Sequence, residues 1–410
     1  MTRPQVIAMD GQVWGVAAPG PAGPVFVTSY AGDDLDTTVL AAVDLAGKVL
    51  WRREFDGHPG KPRVSEAGTA WIAHRGPGGH LLSEVDAGGS ILRSITPDHE
   101  PHEHLGAFVL LPDGFCVAWT PAEWMRVVPP GLVPRVARYD QNGRRRWSTT
   151  TALGKLSFAG LVRMGADTGW EPEPEKPWTA RTIEVSRRQP LLISGDRIAA
   201  TYADGSSGLA VTFFLDTETG QLISTTEPGP SGHKVIFGLG EFLLGYQGYG
   251  AFSTARHDRS GAVVERWRSH VMPLIDRDGG VRGPESENIL HNRSQFRGLR
   301  QDGSLRDGPT LSGYYTTYPA LDSAGTAVFW RDGRLLAVDA GFELRRLFAM
   351  PDERAVMSRI LLLEQGQLML ALNSDLLVFR DTGLAPLDSG VWPCGDGNLQ
   401  GNPRLGSWTR

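Results

Sequence analysis

The sequence is poor in features that would cross-link the chain, place it in a membrane or attract nucleic acid. Its 410 residues include only two cysteines, Cys116 and Cys394, so no disulfide framework is expected. No apolar run approaches the roughly 18 residues of a membrane-spanning helix, and the amino end MTRPQVIAMDGQVW lacks the basic and apolar regions of a secretory signal. A net charge of −5 does not suggest the basic surface of a nucleic-acid-binding protein. We therefore expect a cytoplasmic protein with neither a nucleic-acid nor a membrane partner.

A short marker recurs along the chain, consisting of an apolar or aromatic residue, an aspartate, and a glycine a few residues later. Aspartate favours turns because its side chain accepts hydrogen bonds from the following backbone, and glycine supplies the positive φ of a tight hairpin. Three of the six steps between the marker aspartates are 42 residues, which matches four short strands per repeat. The seven aspartates are Asp44, Asp86, Asp140, Asp216, Asp258, Asp339 and Asp381.

The runs between the markers alternate in polarity, as in TAWIAH, so each unit presents an apolar face that a neighbour must cover. We predict an all-β fold: a seven-bladed β-propeller of four-stranded antiparallel blades, forming one domain over residues 1–410. The predicted blades are approximately 1–55, 56–97, 98–151, 152–227, 228–270, 271–350 and 351–392, followed by a tail at 393–410.

Three steps between markers are longer than 42 residues and are interpreted as insertions near 120–134, 152–187 and 272–314. Strand direction alternates within a blade, so all three insertions are expected on the same face of the propeller. Long loops in compact domains are usually binding loops or lids. This loop-rich face is the predicted ligand-binding surface.

The segment PDHEPHEH, ending at His104, holds three of the ten histidines. Histidine and carboxylate groups are suitable zinc, manganese or iron ligands. In an extended strand His102 and His104 would point the same way. The sequence thus offers His99, His102 and His104 as metal ligands, or His102 and His104 together with His291 and Arg293 as catalytic residues near the channel mouth. The alternative is an exposed loop whose histidines cap turns.

Aromatic and basic residues in the insertions are candidate ligand contacts. Two tryptophans flank an extended Pro-rich stretch, and arginines suit carboxylate or phosphate. The alternatives are tryptophans that pack on the propeller and arginines on solvated loops. The candidate ligand-binding residues are Trp124, Trp170, Trp178, Arg181 and Arg297.

The repeats DLAGKVLW at 44–51 and YDQNGRRRW at 139–147 resemble those of pyrroloquinoline-quinone-type propellers. The tail WPCGDGNLQGNPR resembles a segment common beside such propellers. The resemblance implies a propeller whose repeat tryptophan packs between blades. Quinone dehydrogenases of that family carry an adjacent cysteine pair, which this chain lacks, so pyrroloquinoline quinone is not an expected cofactor. The stretch PHEHLGAFVLLPDG resembles lyase-like and sulfotransferase-like propeller blades, whose channel histidines act in catalysis.

Two functions remain open at this level. The first is a binding or interaction module, WD40-like in character, that takes a protein or small-molecule ligand on the loop-rich face. The alternative is a lyase, hydrolase or transferase with a histidine site at the channel mouth. A divalent metal is the one cofactor left open. Fold alone does not separate these functions.

Overall fold

The computed structural model describes residues 3–31, 37–57, 60–121, 132–151, 183–186, 189–204, 209–248, 251–285, 294–312, 318–350 and 358–406. These residues are nearly all in strands and turns, and the helical content that they show is a 3-10 turn at Glu364–Gly366. No helix of the described ranges is long and apolar enough to cross a membrane.

The first strands are β1 (Gln5–Ala8), β2 (Gln12–Ala17), β3 (Val25–Ala31), β4 (Thr37–Val43), β5 (Val49–Asp56), β6 (Arg63–Val64), β7 (Ala70–Gly76), β8 (Gly79–Val85), β9 (Ile91–Ile95), β10 (His104–Leu111), β11 (Gly114–Thr120), β12 (Arg135–Asp140) and β13 (Arg145–Thr150). Next come β14 (Ile183–Val185), β15 (Leu191–Ser194), β16 (Arg197–Asp204), β17 (Leu209–Asp216), β18 (Leu222–Thr225), β19 (Gly229–Gly238), β20 (Glu241–Gly248), β21 (Ala251–His257) and β22 (Val263–Trp267). The last are β23 (Leu274–Ile275), β24 (Val281–Pro284), β25 (Ser294–Leu299), β26 (Leu305–Leu311), β27 (Ala320–Leu321), β28 (Ala327–Arg331), β29 (Arg334–Val338), β30 (Leu344–Ala349), β31 (Leu361–Leu362), β32 (Leu368–Leu372), β33 (Asp375–Phe379) and β34 (Arg404–Leu405).

The strands form antiparallel sets of four. Seven sets use consecutive strands, namely β2–β5, β6–β9, β10–β13, β15–β18, β19–β22, β23–β26 and β27–β30, and an eighth joins β31–β33 to β1. Strand β14 adds to β16, β34 runs parallel to β15, and a short β17–β19 pairing links two of the sets. Repeated four-stranded antiparallel blades are the architecture of a β-propeller, which confirms the predicted fold class.

The described residues contain eight such sets rather than the predicted seven. The missed set is β23–β26, within the segment 272–314 that was predicted to be a long loop. Its third and fourth strands meet at a turn in which Arg300 N–H donates to Ser304 O at 3.0 Å, the same bond that Asp258 makes with Ala262. Arg300 therefore stands at the marker position, 42 residues after Asp258. The marker was absent because arginine replaces aspartate there.

The chain divides into two compact units, made of residues 1–96, 271–300 and 304–402, and of 97–270, 301–303 and 403–410. The first unit holds five of the four-stranded sets and the second holds three. Within each unit the core lies between neighbouring sheets. In the first unit Phe26 and Leu40 share a buried cluster with Ile72 and Val85 of the next sheet. In the second unit Val109 packs in one cluster with sheet β15–β18.

The marker turns follow local chemistry. At Asp44 the backbone N–H donates to Lys48 O at 3.0 Å, and the side-chain Oδ1 accepts the Lys48 N–H at 2.8 Å. Gly47 has a φ of +80° between them. The same pattern recurs at Asp140 and Asp258. Each of these markers thus closes the hairpin between the third and fourth strands of a set.

The repeat tryptophans pack against the turn of the following sheet, but each is only half-buried. Trp51 donates from Nε1 to Ala87 O at 2.7 Å and lies over Gly89. Trp147 donates to Thr217 O at 3.1 Å and lies over a glycine in the same way. The predicted contact between blades is confirmed. Part of each indole remains exposed, because each ring covers a turn at the surface.

The amino end completes the last sheet. Strand β1 pairs antiparallel with β33, with Gln5 opposite Val378 and Ala8 opposite Asp375. An unpaired β33 would present a free sheet edge. The sequence predicts that either the run Gln5–Met9 or the tail near Trp392 pairs with the opposite end of the chain, and the β1–β33 pairing confirms the first of these.

Candidate functional site

The predicted histidine site does not lie on one strand. Strand β10 begins at His104, whereas His102 lies in the preceding turn with a φ of +68°. Side chains two residues apart share a face only in an extended strand. The extended strand on which the expectation of a shared direction depends is therefore absent at His102. The catalytic role of the two histidines stays a prediction.

His99 has a packing role. Its ring stacks on Trp119 with centroids 5.2 Å apart and planes 10° apart, and its Nδ1 is 3.0 Å from Pro97 O. No three His, Cys, Asp or Glu side chains in the described ranges are placed to hold a metal ion. Those residues include His99, His102 and His104, so this geometry does not favour the predicted metal site.

Glu103, between these histidines, is the group that fixes the loop. Its side chain is 1% exposed and forms a bidentate pair with Arg135, with N–O distances of 2.5 and 2.6 Å. Its Oε2 also accepts the Glu100 N–H at 2.7 Å. The Arg135 guanidinium in turn lies 5.5 Å from the Trp119 ring centroid. The polar segment thus docks through a buried ion pair.

Of the remaining predicted site residues, Arg297 lies in the described part of the chain. Arg297, on β25, pairs with Glu285 at 2.8 Å and with Asp307, so its charge is matched within its own sheet. The others lie outside the described residues, and these are Trp124, Trp170, Trp178, Arg181, His291 and Arg293.

A different charged group lies in the first unit, where two sheets begin. Lys61 precedes β6 and Arg63 is its first residue, whereas Arg359 stands two residues before β31. The fourth member, Asp396, belongs to the carboxyl-terminal segment. We call Lys61, Arg63, Arg359 and Asp396 the cationic cluster.

Main-chain bonds hold the carboxyl-terminal segment against the first strands of these sheets. Val64 N–H donates to Gln400 O, and Ala18 N–H donates to Leu399 O, both at 2.9 Å. This segment follows a bridge between Trp392 and Ile275. Asp396 is therefore placed by backbone contacts on both sides of it in sequence.

The side chain of Arg359 also holds the carboxyl-terminal segment in place. Its Nε donates to Val16 O at 3.0 Å, and its Nη atoms donate to three carbonyls, those of Gly395, Asn398 and Leu399. Gly401, with a φ of +67°, passes so close that a Cβ would lie 3.0 Å from Nη2 of Arg359. Glycine is needed there for both its conformation and its size.

The cationic cluster contains more positive than negative charge. Asp396 Oδ2 lies 3.5 Å from Lys61 Nζ and 4.0 Å from Arg359 Nε. Burial alone would raise the pKa of Asp396, but the charges of Lys61, Arg63 and Arg359 outweigh it and hold the pKa below its usual value. Burial lowers the pKa of Lys61, Asp396 opposes this, and the two arginines add to the lowering. One ionised carboxylate therefore faces three cations.

Arg63 is the least satisfied member. It is 7% exposed, and its Nε and Nη1 are buried without a hydrogen-bond partner among the described residues. Burial and the charge of Arg359 lower its pKa, with Asp396 opposing, yet a guanidinium stays protonated in proteins. A buried charge without matched hydrogen bonds is costly. This arrangement is suited to receive an anionic group.

A buried lysine of the second unit, Lys234, differs from Arg63 in that its hydrogen bonds are satisfied. Lys234 is 1% exposed, and its Nζ donates to Ser186 Oγ at 2.8 Å, Ser231 Oγ at 3.0 Å and Gly232 O at 3.2 Å. An ammonium has three donors, so these contacts use all of them. Lys234 borders a pocket that Tyr246 also lines, but its own hydrogen bonding is complete.

Sequence reasoning missed the cationic cluster because its members are far apart in the chain. Lys61 and Asp396 are separated by 335 residues. The one available signal was the placement of basic residues, in KPR at 61–63 and at Arg359, directly ahead of fully buried strands. A charge that heads a buried strand needs a partner from elsewhere in the fold.

No family model and no curated protein matches the chain. Solved structures with similar folds include a streptogramin B lyase at 11% identity and a TM-score of 0.43, covering 92% of this chain and 97% of that one. The Cps50 (Swd1) β-propeller domain of Myceliophteria thermophila is 12% identical with a TM-score of 0.47, covering 92% and 98%. A chain of the mitotic checkpoint complex is 10% identical with a TM-score of 0.49, covering 92% and 95%. Similarities this low do not bear on function.

Proposed function

We propose that the protein is a β-propeller binding module whose ligand carries an anionic group held at the cationic cluster. The observation that carries this proposal is Arg63, a buried guanidinium with two nitrogens lacking partners in the described residues. The carboxylate of Asp396 is shared among three cations, of which Arg63 is one. An anion that accepts from Arg63 would satisfy one of these nitrogens and supply the missing negative charge.

Lys61 marks the side from which a ligand reaches the cluster. Its side chain is 31% exposed, whereas that of Arg359 is 3% exposed. The Lys61 ammonium lies 5.3 Å from the Tyr318 ring centroid, a cation–π contact that holds it near the cluster. The ligand would first meet Lys61 and then place its anionic group against Arg63.

The loop-rich face and the cytoplasmic location stay predictions alongside this proposal. The enzyme alternative depends on His102 and His104 together with His291 and Arg293, of which the last two lie outside the described residues. It is favoured by no contact that the structure describes.

Thermal unfolding at fixed ionic strength tests anion binding. With sodium chloride as the reference, citrate, sulfate or phosphate should raise the melting temperature, because a ligand that binds only the folded state stabilises it by RT ln(1 + [L]/Kd). Arg63→Gln should remove most of this shift. Arg52→Gln, which alters an exposed arginine paired with Asp10, should keep it.

Lys61→Gln provides a second variant if Arg63→Gln fails to fold, because Lys61 is more exposed. It should weaken the anion-dependent shift without lowering stability in chloride. A wild-type melting temperature that is the same in every anion at matched ionic strength would refute the proposal.

A further inference from the structure

We infer that the group held at the cationic cluster is a dianion of the phosphate class, as found in inorganic phosphate or a small phosphomonoester. This inference rests on the proposed function, since it names the class of anion that the same site takes. It follows from the charge count, the free donors and the burial of the cluster.

The charge count favours two negative charges. Three cations face one carboxylate, and Asp396 is the one acid that acts on Arg63 in the described residues. A monocarboxylate would leave one positive charge unmatched, whereas a dianion balances the cluster. The nearby Cys394 adds no charge at neutral pH, because burial raises the pKa of its thiol to about 12.

The donors also suit a tetrahedral group. Arg63 offers Nε and Nη1, whose N–H groups lie on different edges of the guanidinium plane, and Lys61 offers an ammonium with three hydrogens. A phosphate carries several acceptor oxygens, so it can accept from one of these edges and from the ammonium together, and arginine and lysine are its usual ligands. A carboxylate has two oxygens in one plane and would reach fewer donors at once.

Burial limits the size of what enters. Arg63 is 7% and Arg359 4% exposed, and the carboxyl-terminal segment lies against them. The inferred ligand is therefore a small anion, or the phosphoryl end of a small molecule, that enters beside the partly exposed Lys61.

Isothermal titration calorimetry of the full chain at pH 7.5 and fixed ionic strength tests the inference. Inorganic phosphate, methyl phosphate and sulfate should each bind at one site, and acetate should bind at least tenfold more weakly. Arg63→Gln should weaken phosphate binding at least tenfold, and Arg52→Gln should not change it. Comparable affinity for inorganic and methyl phosphate would identify a monoester site. A tenfold preference for inorganic phosphate would identify a site for the free ion.

The pH dependence of binding tests whether the charge of the anion, rather than its size, determines the affinity. A phosphomonoester loses its second charge below about pH 6, so methyl phosphate should bind several-fold more weakly at pH 5 than at pH 7. Sulfate keeps both charges, so its affinity should be unchanged. A parallel fall for both anions would place the titration on the protein and overturn the dianion assignment.

The outcomes separate this inference from the proposed function. If acetate binds as tightly as methyl phosphate and the binding requires Arg63, anion binding stands and the dianion class is overturned. If no anion binds the wild-type protein, both are overturned.

Discussion

Asp396 is the carboxylate that offsets the positive charges of the cationic cluster. It is the acid that the cationic cluster contains, and its side chain is 7% exposed. In Asp396→Asn two buried arginines and the partly exposed Lys61 would lose their counter-charge. Breaking a buried ion pair from one side costs about 3–5 kcal/mol. We expect a loss of this size in the free energy of unfolding, measured by urea denaturation in chloride buffer.

The matched control is Asp10→Asn, which removes an exposed pair with Arg52 worth about 0–1 kcal/mol. The pKa of Asp396 is held below its unfolded value, so its contribution is present above about pH 4 and is lost as pH falls through the folded pKa. The stability difference between wild type and Asp396→Asn should shrink in acid. Equal stability of the two variants at pH 7 would contradict the described coupling.

Glu103 is the equivalent test in the second unit. Glu103→Gln breaks the bidentate pair with Arg135, whose side chain is 6% exposed, and should cost about 3–5 kcal/mol of unfolding free energy. Glu100→Gln removes an exposed pair with Arg145 and should cost less than about 1 kcal/mol. Denaturant midpoints that coincide for the two variants would show that Glu103 is not the anchor of this loop.

At the scale of the element, β1 determines whether the last sheet has a free edge. Deleting residues 1–10 removes β1 and exposes the edge of β33, together with the apolar contacts of Ile7 and Met9. The melting temperature should therefore fall. Deleting residues 1–4, which precede β1, is the control and should leave it nearly unchanged. Identical melting curves for the two deletions would mean that β1 adds no stability.

The repeat tryptophans link a strand to the next turn through one hydrogen bond each. Trp147→Phe removes the donor to Thr217 O and keeps much of the ring, so it should cost about 1 kcal/mol. Trp51→Phe should cost a similar amount through Ala87. Urea unfolding measures both. A loss above 3 kcal/mol for either would show that the indole is more deeply packed than its half-buried state indicates.

At the scale of the whole molecule, the marker turns of Asp140 and Asp258 make stability sensitive to acid. Backbone N–H groups of Arg144 and Asn142 lower the pKa of Asp140, and the Ser260 hydroxyl with nearby N–H groups lowers that of Asp258. Depressed carboxylate pKa values stabilise the fold above about pH 4, and this contribution disappears as pH falls through the folded values. The melting temperature should therefore drop between about pH 4 and pH 2.

A double variant tests whether these two carboxylates cause the acid sensitivity. It combines Asp140→Asn with Asp258→Asn, because asparagine keeps an acceptor oxygen but does not titrate. The double variant should lose less stability between pH 5 and pH 2.5 than wild type does. An equally steep loss would assign the acid sensitivity to other carboxylates.

Much of the sheet structure could be predicted because its determinants are local. The bonds that Asp44 makes with Lys48 span four residues, so aspartate, glycine and alternating strands were enough to identify four-stranded blades. The prediction of seven sets was wrong where Arg300 replaced the aspartate. Its backbone makes the same turn, because the Arg300 N–H and the Ser304 carbonyl bond without a carboxylate.

The sequence by itself determined the all-β class, the blade size and the pairing of the amino end, since these follow from period, turn chemistry and the need to cover an edge. Only the tertiary structure decided the candidate site. The carboxyl-terminal segment brings Asp396 to Lys61, Arg63 and Arg359, although 335 residues separate Asp396 from Lys61. The nearby histidines formed a conspicuous sequence motif, yet the fold buries Glu103 among them and leaves His102 exposed. Charge balance in a folded protein depends on distances through space, and neither spacing nor composition encodes those distances.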